Sequence, residues 1–535
     1  MESFHMSSLA FLLLLLSLFL FSERFLINCD ALGQCFEAES SALLQLKRGF
    51  SSGDLDAWQS STNCCIWKDV TCDESLGRVI SLDLSNQFIG GMIDPSFFNL
   101  TSLRALNFAK NIFFGISIPN YGWDRLVNLS SLDLSNAGFA GKIPVAIFLL
   151  KKLQYLDISG NLMLSGSLPK FSEDSSIPSC LLKGVSLQVL KIRGNQLHGA
   201  IPDEISPKCE LQIIDLRDNQ LDELIPRSLS NCHSLQILDL GNNNLKDTFP
   251  YWLGNMSSLR VLVLRSNKFY GKVGPFEGNH ERNYAFSMLH VLDISFNNFS
   301  GKLCAECFNN FKSMMIDKTE TVEDLTFHFQ GQYYYLGLLT IMNKAQPMTI
   351  QKLWAVFKSI DFSNNYFEGE IPITIGQLTS LQVLNMSHNY LTGKIIPQFG
   401  NLSQLESLDL SMNSLSGKIP QELASLNFLE YLDLSYNKLV GNIPVGGQLS
   451  TFSKTSFQGN NGLCLLPCNK SVPRVNNTTT SLELGNRALK NRNYMIILGI
   501  LFGVGFGSSM AIVVVLDVMC CDRCRRRRSR RPIDG

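Results

Sequence analysis

Residues 429–444 read Leu429-x-x-Leu432-x-Leu434-x-x-Asn437-x-Leu439-x-Gly441-x-Ile443-Pro444, and thirteen versions of this pattern fill most of the chain. The asparagine returns at 195, 219, 243 and 267 and again at 365, 389, 413 and 437, always at the same interval. That interval accommodates one strand and one returning arc. A unit so small cannot bury its own leucines, so the units must stack and share a core. The fold class this dictates is an α/β solenoid. With adjacent strands about 4.8 Å apart, the concave ladder is about 58 Å long, enough for a protein or a long peptide to lie along it. The step Gly141-Lys-Ile143-Pro144, repeated as Gly417-Lys-Ile419-Pro420, turns each unit toward the convex side. Glycine opens a backbone geometry closed to other residues there, and proline fixes its own φ.

Both ends of the chain carry apolar runs. Residues 9–21 are nearly unbroken apolar but too short to span a bilayer, and Ala31-Leu32-Gly33 ends the region with small residues at its first and last positions. This predicts a secretory signal peptide over 1–33, although its opening stretch before the apolar run offers only His5 and no Lys or Arg. Residues 494–516 carry no charge at all. At about 1.5 Å per residue they reach about 34 Å, across a hydrocarbon core of about 30 Å. Arg523, Arg525, Arg526, Arg527, Arg528, Arg530 and Arg531 lie beyond the run, against Arg487, Lys490 and Arg492 before it. The heavier positive side stays inside, which predicts a single-pass type I protein of the plasma membrane with the solenoid extracellular. Formal net charge is zero, an average that conceals the basic tail of 517–535; that tail suits anionic inner-leaflet lipids. Gly499, Gly503 and Gly507 clear one face of the spanning helix, so a partner helix can approach its backbone closely. Cys520, Cys521 and Cys524 at the inner interface are palmitoylation candidates or plain thiols.

Fifteen cysteines in an exported chain predict disulfides rather than reactive thiols. Cys29 leaves with the signal peptide. Cys35, Cys64, Cys65 and Cys72 precede the first repeat, where an open solenoid end needs a cap; spacing alone allows three pairings. Cys464 and Cys468 close the other end. Cys209 and Cys232 lie almost one period apart, on neighbouring coils and within reach of a bridge. Cys304-Ala-Glu-Cys307 has a redox or metal spacing, but no second pair accompanies it, so it reads as a disulfide anchoring an insertion. Nine glycosylation sequons lie between the apolar runs, at Asn99, Asn128, Asn255, Asn298, Asn385, Asn401, Asn469, Asn476 and Asn477. Asn385 sits on a strand and faces the concave side, so either that site is unused or that face binds nothing.

Two spacings break the period. The interval from Asn297 to Asn365 is far longer than one period, and the surplus, 304–348, contains Phe327-His328-Phe329 and Tyr333-Tyr334-Tyr335. So long an insertion in a compact array is functional or disordered, and its aromatics argue for a functional island. The interval from Asn161 to Asn195 is also too long, by a smaller surplus. Pro178 stands as far before Leu190 as Pro202 stands before Ile214, so the half-repeat ending there is in register with the next coil. Residues 170–176 therefore read as a junction where whole repeats were lost, the alternative being a small looped-out segment.

Catalysis has no evident carrier in the sequence. The seven histidines, at 5, 198, 233, 280, 290, 328 and 388, are scattered, and His280-Glu281 lacks the second histidine of a metalloprotease helix. No enzyme activity, cofactor, metal site or nucleic-acid partner is expected. The residues between the strand leucines face the concave surface and include Lys191, Arg193, Arg217 and Arg265, which either hold an acidic ligand or solvate an exposed face. The aspartate of Leu-Asp-Leu, as at 239, 409 and 433, reads as a repeat feature and not as a carboxylate pair.

The strings Cys64-Cys65-Ile-Trp67-Lys-Asp-Val-Thr-Cys72, Val79-Ile-Ser-Leu-Asp-Leu-Ser-Asn86, Val261-Leu-Val-Leu-Arg-Ser-Asn-Lys268, Ser359-Ile-Asp-Phe-Ser-Asn364 and Thr451-Phe-Ser-Lys-Thr-Ser-Phe-Gln-Gly-Asn460 resemble the plant leucine-rich-repeat receptor-like proteins, most closely the Verticillium-wilt-resistance type of kinase-less immune receptor. The resemblance covers nearly the whole mature chain. It implies the pairing Cys35–Cys64 and Cys65–Cys72, and a receptor-kinase adaptor paired through Gly499, Gly503 and Gly507. It also implies a ligand-recruited co-receptor kinase facing the island, around Tyr333 to Tyr335, and the last repeats, Asn365 to Asn437. The chain departs from the family in having fewer repeats and an arginine-rich tail, which puts recognition in doubt.

The domain order expected is signal peptide 1–33, cysteine cap 34–78, repeats 79–303, island 304–348, repeats 349–446, C-terminal cap and juxtamembrane segment 447–493, membrane helix 494–516 and cytosolic tail 517–535. The function expected is a cell-surface receptor in plant defence that binds an extracellular protein, peptide or glycan and signals through associated kinases. A developmental peptide receptor, an inhibitor of microbial wall-degrading enzymes and a non-signalling decoy are the alternatives.

Overall fold

The computed structural model describes residues 34–168, 186–274, 286–315, 326–329, 332–335, 339–344, 346–350 and 357–464, all within one compact unit, Met1–Cys468. The signal peptide, the 170–176 junction, Cys468, Asn469, Asn476, Asn477, the 494–516 run with its glycines and the arginine tail lie outside these residues. Among the described residues no helix is long and apolar enough to cross a membrane.

Fourteen strands form one sheet, in chain order apart from the excursions between them. The first, Val70–Cys72, runs antiparallel to Val79–Asp83 and closes the edge; the others are parallel. Most are three residues long, and their central residues stack in register, Leu190 on Ile214 on Leu238 on Leu262. These residues are buried against the leucines of the flanking coils, forming one continuous core.

The recurrent asparagine locks one coil to the next. Asn243 Nδ2 donates to Leu216 O (3.0 Å) and Leu240 O (3.1 Å), and its Oδ1 accepts from Leu221 N (3.0 Å). Only a short side chain with both a donor and an acceptor can satisfy backbone groups on two coils at once. That requirement fixes the asparagine.

The return arcs differ from expectation. Most are 3-10 turns of five residues, such as Pro95–Asn99, Tyr251–Asn255 and Gln421–Ser425. The described α-helices are Glu37–Gly49 in the cap and the single turn Ala305–Phe308. A 3-10 helix rises about 2.0 Å per residue against about 1.5 Å for an α-helix, so it spans the convex side in fewer residues. The class is accordingly a β/3-10 solenoid rather than an α/β one. The Gly-x-Ile-Pro segments also do more than turn. They begin with short second strands, for example Gln196–Ala200, Tyr366–Glu370 and Lys438–Asn442, which pair into three smaller parallel sheets on one flank.

At both breaks in the period the ladder closes directly. Tyr155–Asp157 pairs with Val189–Lys191, and Val291–Asp293 with Ser359–Asp361. Across the long break Asn365 donates to Ile294 O (3.0 Å) and accepts from Phe299 N (3.1 Å), while Phe269, Phe299 and Phe367 continue a ring stack. The island begins later than position 304. Phe308, Phe311 and Met314 are buried in the shared core, so 304–315 is the convex arc of its own coil. Two antiparallel hairpins come next, Thr326–Phe329 with Gln332–Tyr335 and Leu339–Asn343 with Gln346–Ile350; the second runs past 348.

The cap is stapled by Cys35–Cys64 and Cys65–Cys72. Trp58 and Trp67 stack with centroids 5.0 Å apart, and buried Glu39 accepts from Val79 N (2.7 Å) beside Arg78 (3.3 Å). At the far end Asn460 Nδ2 donates to Leu434 O (2.9 Å) and its Oδ1 accepts from Leu439 N (3.0 Å). The strand Gly462–Cys464 pairs with Lys438–Asn442. The terminus thus imitates one more coil. Cys464 is disulfide-bonded. Cys209–Cys232 ties neighbouring coils, and Cys304–Cys307 closes on itself at the start of its short helix.

Candidate functional site: the concave ladder and its island

Strand residues flanking each buried leucine project from the concave face in rows set by the parallel register. Lys191, Arg193, Arg217 and Arg265 come together on this face, and each leans on a neighbour. Lys191 Nζ lies 5.6 Å from the centre of the Tyr155 ring. Arg193 approaches Asp215 (3.9 Å), Arg217 approaches Asp218 (3.2 Å), and Arg265 approaches Asp293 (3.8 Å) with its guanidinium 5.0 Å from the Phe296 ring.

The aspartates are more than a repeat feature, which corrects the sequence expectation. Asp133 stands in register with Asp157, Asp215 with Asp239, Asp293 with Asp361 and Asp409 with Asp433. Strand spacing brings these carboxylates side by side, a pairing hidden in a sequence where they lie a whole repeat or more apart. One oxygen of each accepts the N–H two residues on, as from Gly241 to Asp239 (2.9 Å) and Ser363 to Asp361 (2.9 Å). Burial, then the charge of Asp239, pushes Asp215 up to about 8. Burial, then the charge of Asp293, pushes Asp361 up to about 7. Desolvation and a like charge both favour the protonated form. Around Asp215, Asp239, Asp293 and Asp361 the strip is thus a row of cations over carboxylates that ionise reluctantly, able to receive an anionic group.

Of the histidines, His290 is buried between strands, and desolvation with Lys358 and Arg260 nearby holds it down to about 4, so it stays neutral. The sulfurs of Cys35, Cys64 and Cys65 cluster, but all are in disulfides and none is a free thiolate.

In the island, the backbone register sets Phe327 opposite Tyr334, His328 opposite Tyr333 and Tyr335 opposite Thr326. The second hairpin turns at Lys344, whose φ is +52°. Its ammonium bonds Glu430 and lies 3.7 Å from Glu406, placing the hairpin tip over the concave face of the last coils. Lys344 escaped the sequence reading because nothing local pairs residues so far apart in the chain.

The turn after each strand takes a left-handed conformation. Asn86, Lys110, Asn136, Asp218, Asn242 and Ser266 occupy it in the earlier coils and Asn364 in a later one; Phe296, His388, Met412 and Tyr436 also adopt it, at φ of 53–54°. These four are exposed, and beside them Tyr366 and Tyr390 stack with centroids 6.0 Å apart.

Among the sequons, Asn99, Asn255, Asn298 and Asn401 are exposed, whereas Asn128 and Asn385 are half-buried. Asn385 donates to Asp361 (3.3 Å) and accepts from Ser387 N (3.0 Å), so its amide is engaged within the ladder.

The Leucine rich repeat family matches residues 209–269 and 397–439, a second Leucine Rich Repeat family matches 357–378 and 380–402, and the Leucine rich repeat N-terminal domain matches 37–73. Receptor-like protein 19 of Arabidopsis thaliana is 40% identical over 121 residues, 22% of this chain and 12% of that protein. Receptor-like protein 18 of the same plant is 36% identical over 118 residues, 22% of this chain and 13% of its own length. These matches therefore span only a small part of the relatives. Among solved structures, a plant peptide hormone receptor, RGFR1 in complex with RGF2, superposes with a TM-score of 0.47 at 25% identity, covering 69% of this chain and 56% of that one.

Proposed function

Because this chain is a plant leucine-rich-repeat receptor-like protein, we propose that it is a cell-surface recognition receptor of plant defence that binds an extracellular microbial or self-derived ligand and signals through associated receptor kinases. The observation that carries the reading is the concave strip of Lys191, Arg193, Arg217 and Arg265 over paired aspartates, on a ladder long enough for an extended peptide. An acidic group entering there competes with Asp215 for Arg193 and with Asp293 for Arg265, aspartates whose burial already favours their neutral form, so these two cations are released at little electrostatic cost. The ligand class that fits is a peptide or protein segment carrying carboxylates. The exposed edge of Phe296, His388, Met412 and Tyr436, beside the Lys344 clasp, supports docking of a co-receptor ectodomain there, which would bring two cytosolic kinases together. The 494–516 run would tether the receptor and pair with a kinase adaptor along Gly499, Gly503 and Gly507.

The test is co-immunoprecipitation from plant membranes with identification of the attached kinases. Recovery of a receptor kinase, lost on Gly503→Leu, supports the reading; an unchanged kinase set in that variant removes the helix-pairing step. Replacing Arg193, Arg217 and Arg265 together by Gln should abolish ligand-dependent recruitment, and retained recruitment would take the ligand off this strip.

A further inference from the structure

Successive coils at the start of the ladder place Ser102, Asn128 and Lys152 at one position and Arg104, Ser130 and Gln154 two residues on, around a polar depression of about 500 Å³. Asn128 lines it and is a sequon, with Leu129 and Ser130 as its next two residues. Its amide is already oriented, because Lys152 Nζ donates to Oδ1 (2.7 Å) and Nδ2 donates to Thr101 O (3.3 Å). No other described sequon is among the residues lining this depression. Asn99, Asn255 and Asn401 end 3-10 arcs and stand exposed.

We propose that Asn128 is glycosylated and that the first sugars of this glycan fill the depression, so that the protein's own carbohydrate closes the N-terminal end of the concave ladder. The lining is hydroxyls, amides and two cations, groups that hydrogen-bond a polyhydroxylated ligand. The half-burial of Asn128 is no obstacle, because transfer acts on the unfolded chain: Nδ2 bonds to the anomeric carbon of a lipid-linked oligosaccharide, the bond from that carbon to the pyrophosphate oxygen breaks, and lipid pyrophosphate leaves with one amide proton. The second amide proton remains on Nδ2, so a donor survives for Thr101 O. The consequence is directional: the depression runs as far as Ser186, so ligand must enter from Lys191 onward, where the cation strip begins. This rests on the extracellular reading above.

The experiment is site-by-site glycopeptide mass spectrometry of the full chain expressed in plant cells, then timed digestion of the folded protein with peptide-N-glycosidase. The glycan on Asn128 should be released about tenfold more slowly than that on Asn401, and both should be released equally after denaturation, since the sheltered sugars must first open away from the protein. Ser130→Thr should keep the modification and Ser130→Ala should lose it. Glycans on Asn99, Asn255 or Asn401 with Asn128 bare would overturn this proposal and leave the receptor reading standing. So would release from Asn128 as fast as from Asn401. Bare asparagines at every sequon would remove the extracellular reading and this inference with it.

Discussion

The array is interrupted twice, and the longer interruption does less damage. Between Asn297 and Asn365 two hairpins are inserted, yet Asn365 keeps its donors to Ile294 O and Phe362 O and its acceptor bond from Phe299 N. Between Asn161 and Asn195 the surplus is smaller, but Asn195 Oδ1 is buried without a hydrogen-bond partner. The cause is phase, not length. In regular coils the buried apolar residue comes two after the asparagine, as Leu221 after Asn219, whereas Leu164 comes three after Asn161 because Met163 is extra. Leu164 N turns back to Asn161 O (2.8 Å), where a regular coil would offer that N–H to the next asparagine. A stacked array absorbs residues inserted outside the repeat and is disturbed by one inserted within it.

This comparison can be broken by experiment. The largest effect is expected from Asn365→Ala, which strands one buried N–H and three buried carbonyls and should cost about 4 kcal/mol in urea denaturation; Asn195→Ala, lacking the acceptor bond, should cost about 1 kcal/mol less. Equal costs would refute the phase argument. Next, replacing both Cys209 and Cys232 by Ala should remove about 3 kcal/mol, since that bridge ties coils just after the short break.

The long break should also be pH-sensitive, because Asp293 and Asp361 meet there. Asp361 is raised from its ordinary 3.8 to about 7, so the folded state binds more protons than the unfolded one between those values. Its contribution is full below about 4 and is lost as pH rises through about 7. Thermal midpoints should therefore fall from pH 5 to pH 8, and Asp361→Asn should flatten that fall by on the order of 2 kcal/mol. A midpoint rising over this range would contradict the assignment. Deleting Met163 should restore the phase and stabilise by about 1 kcal/mol, the worth of one recovered hydrogen bond. Smallest of all, Lys344→Ala should change global stability by less than about 1 kcal/mol while raising hydrogen exchange in the 339–350 hairpin; unchanged exchange would mean the clasp does not hold the island.

The ladder was legible in the sequence because Asn437 and its counterparts each satisfy neighbouring coils, so the spacing of one residue type encodes the stacking. Cys209 and Cys232 were legible for the same reason: a separation of nearly one period means adjacency. The helical class of the arcs was not, since Pro250-Tyr251-Trp252 looks alike at the start of an α-helix or a 3-10 turn. Nor was the start of the island, because the aromatic residues Phe308 and Phe311 match no leucine template yet are buried in the shared core. The pairing of Asp293 with Asp361 and the reach of Lys344 to Glu430 depend on contacts between distant parts of the chain, beyond any local pattern.

Asn460 offers the outgoing coil the bonds that a further asparagine would have made. The closing segment therefore does not register how many units came before it. Whole units can thus be added or removed upstream without redesigning the terminus.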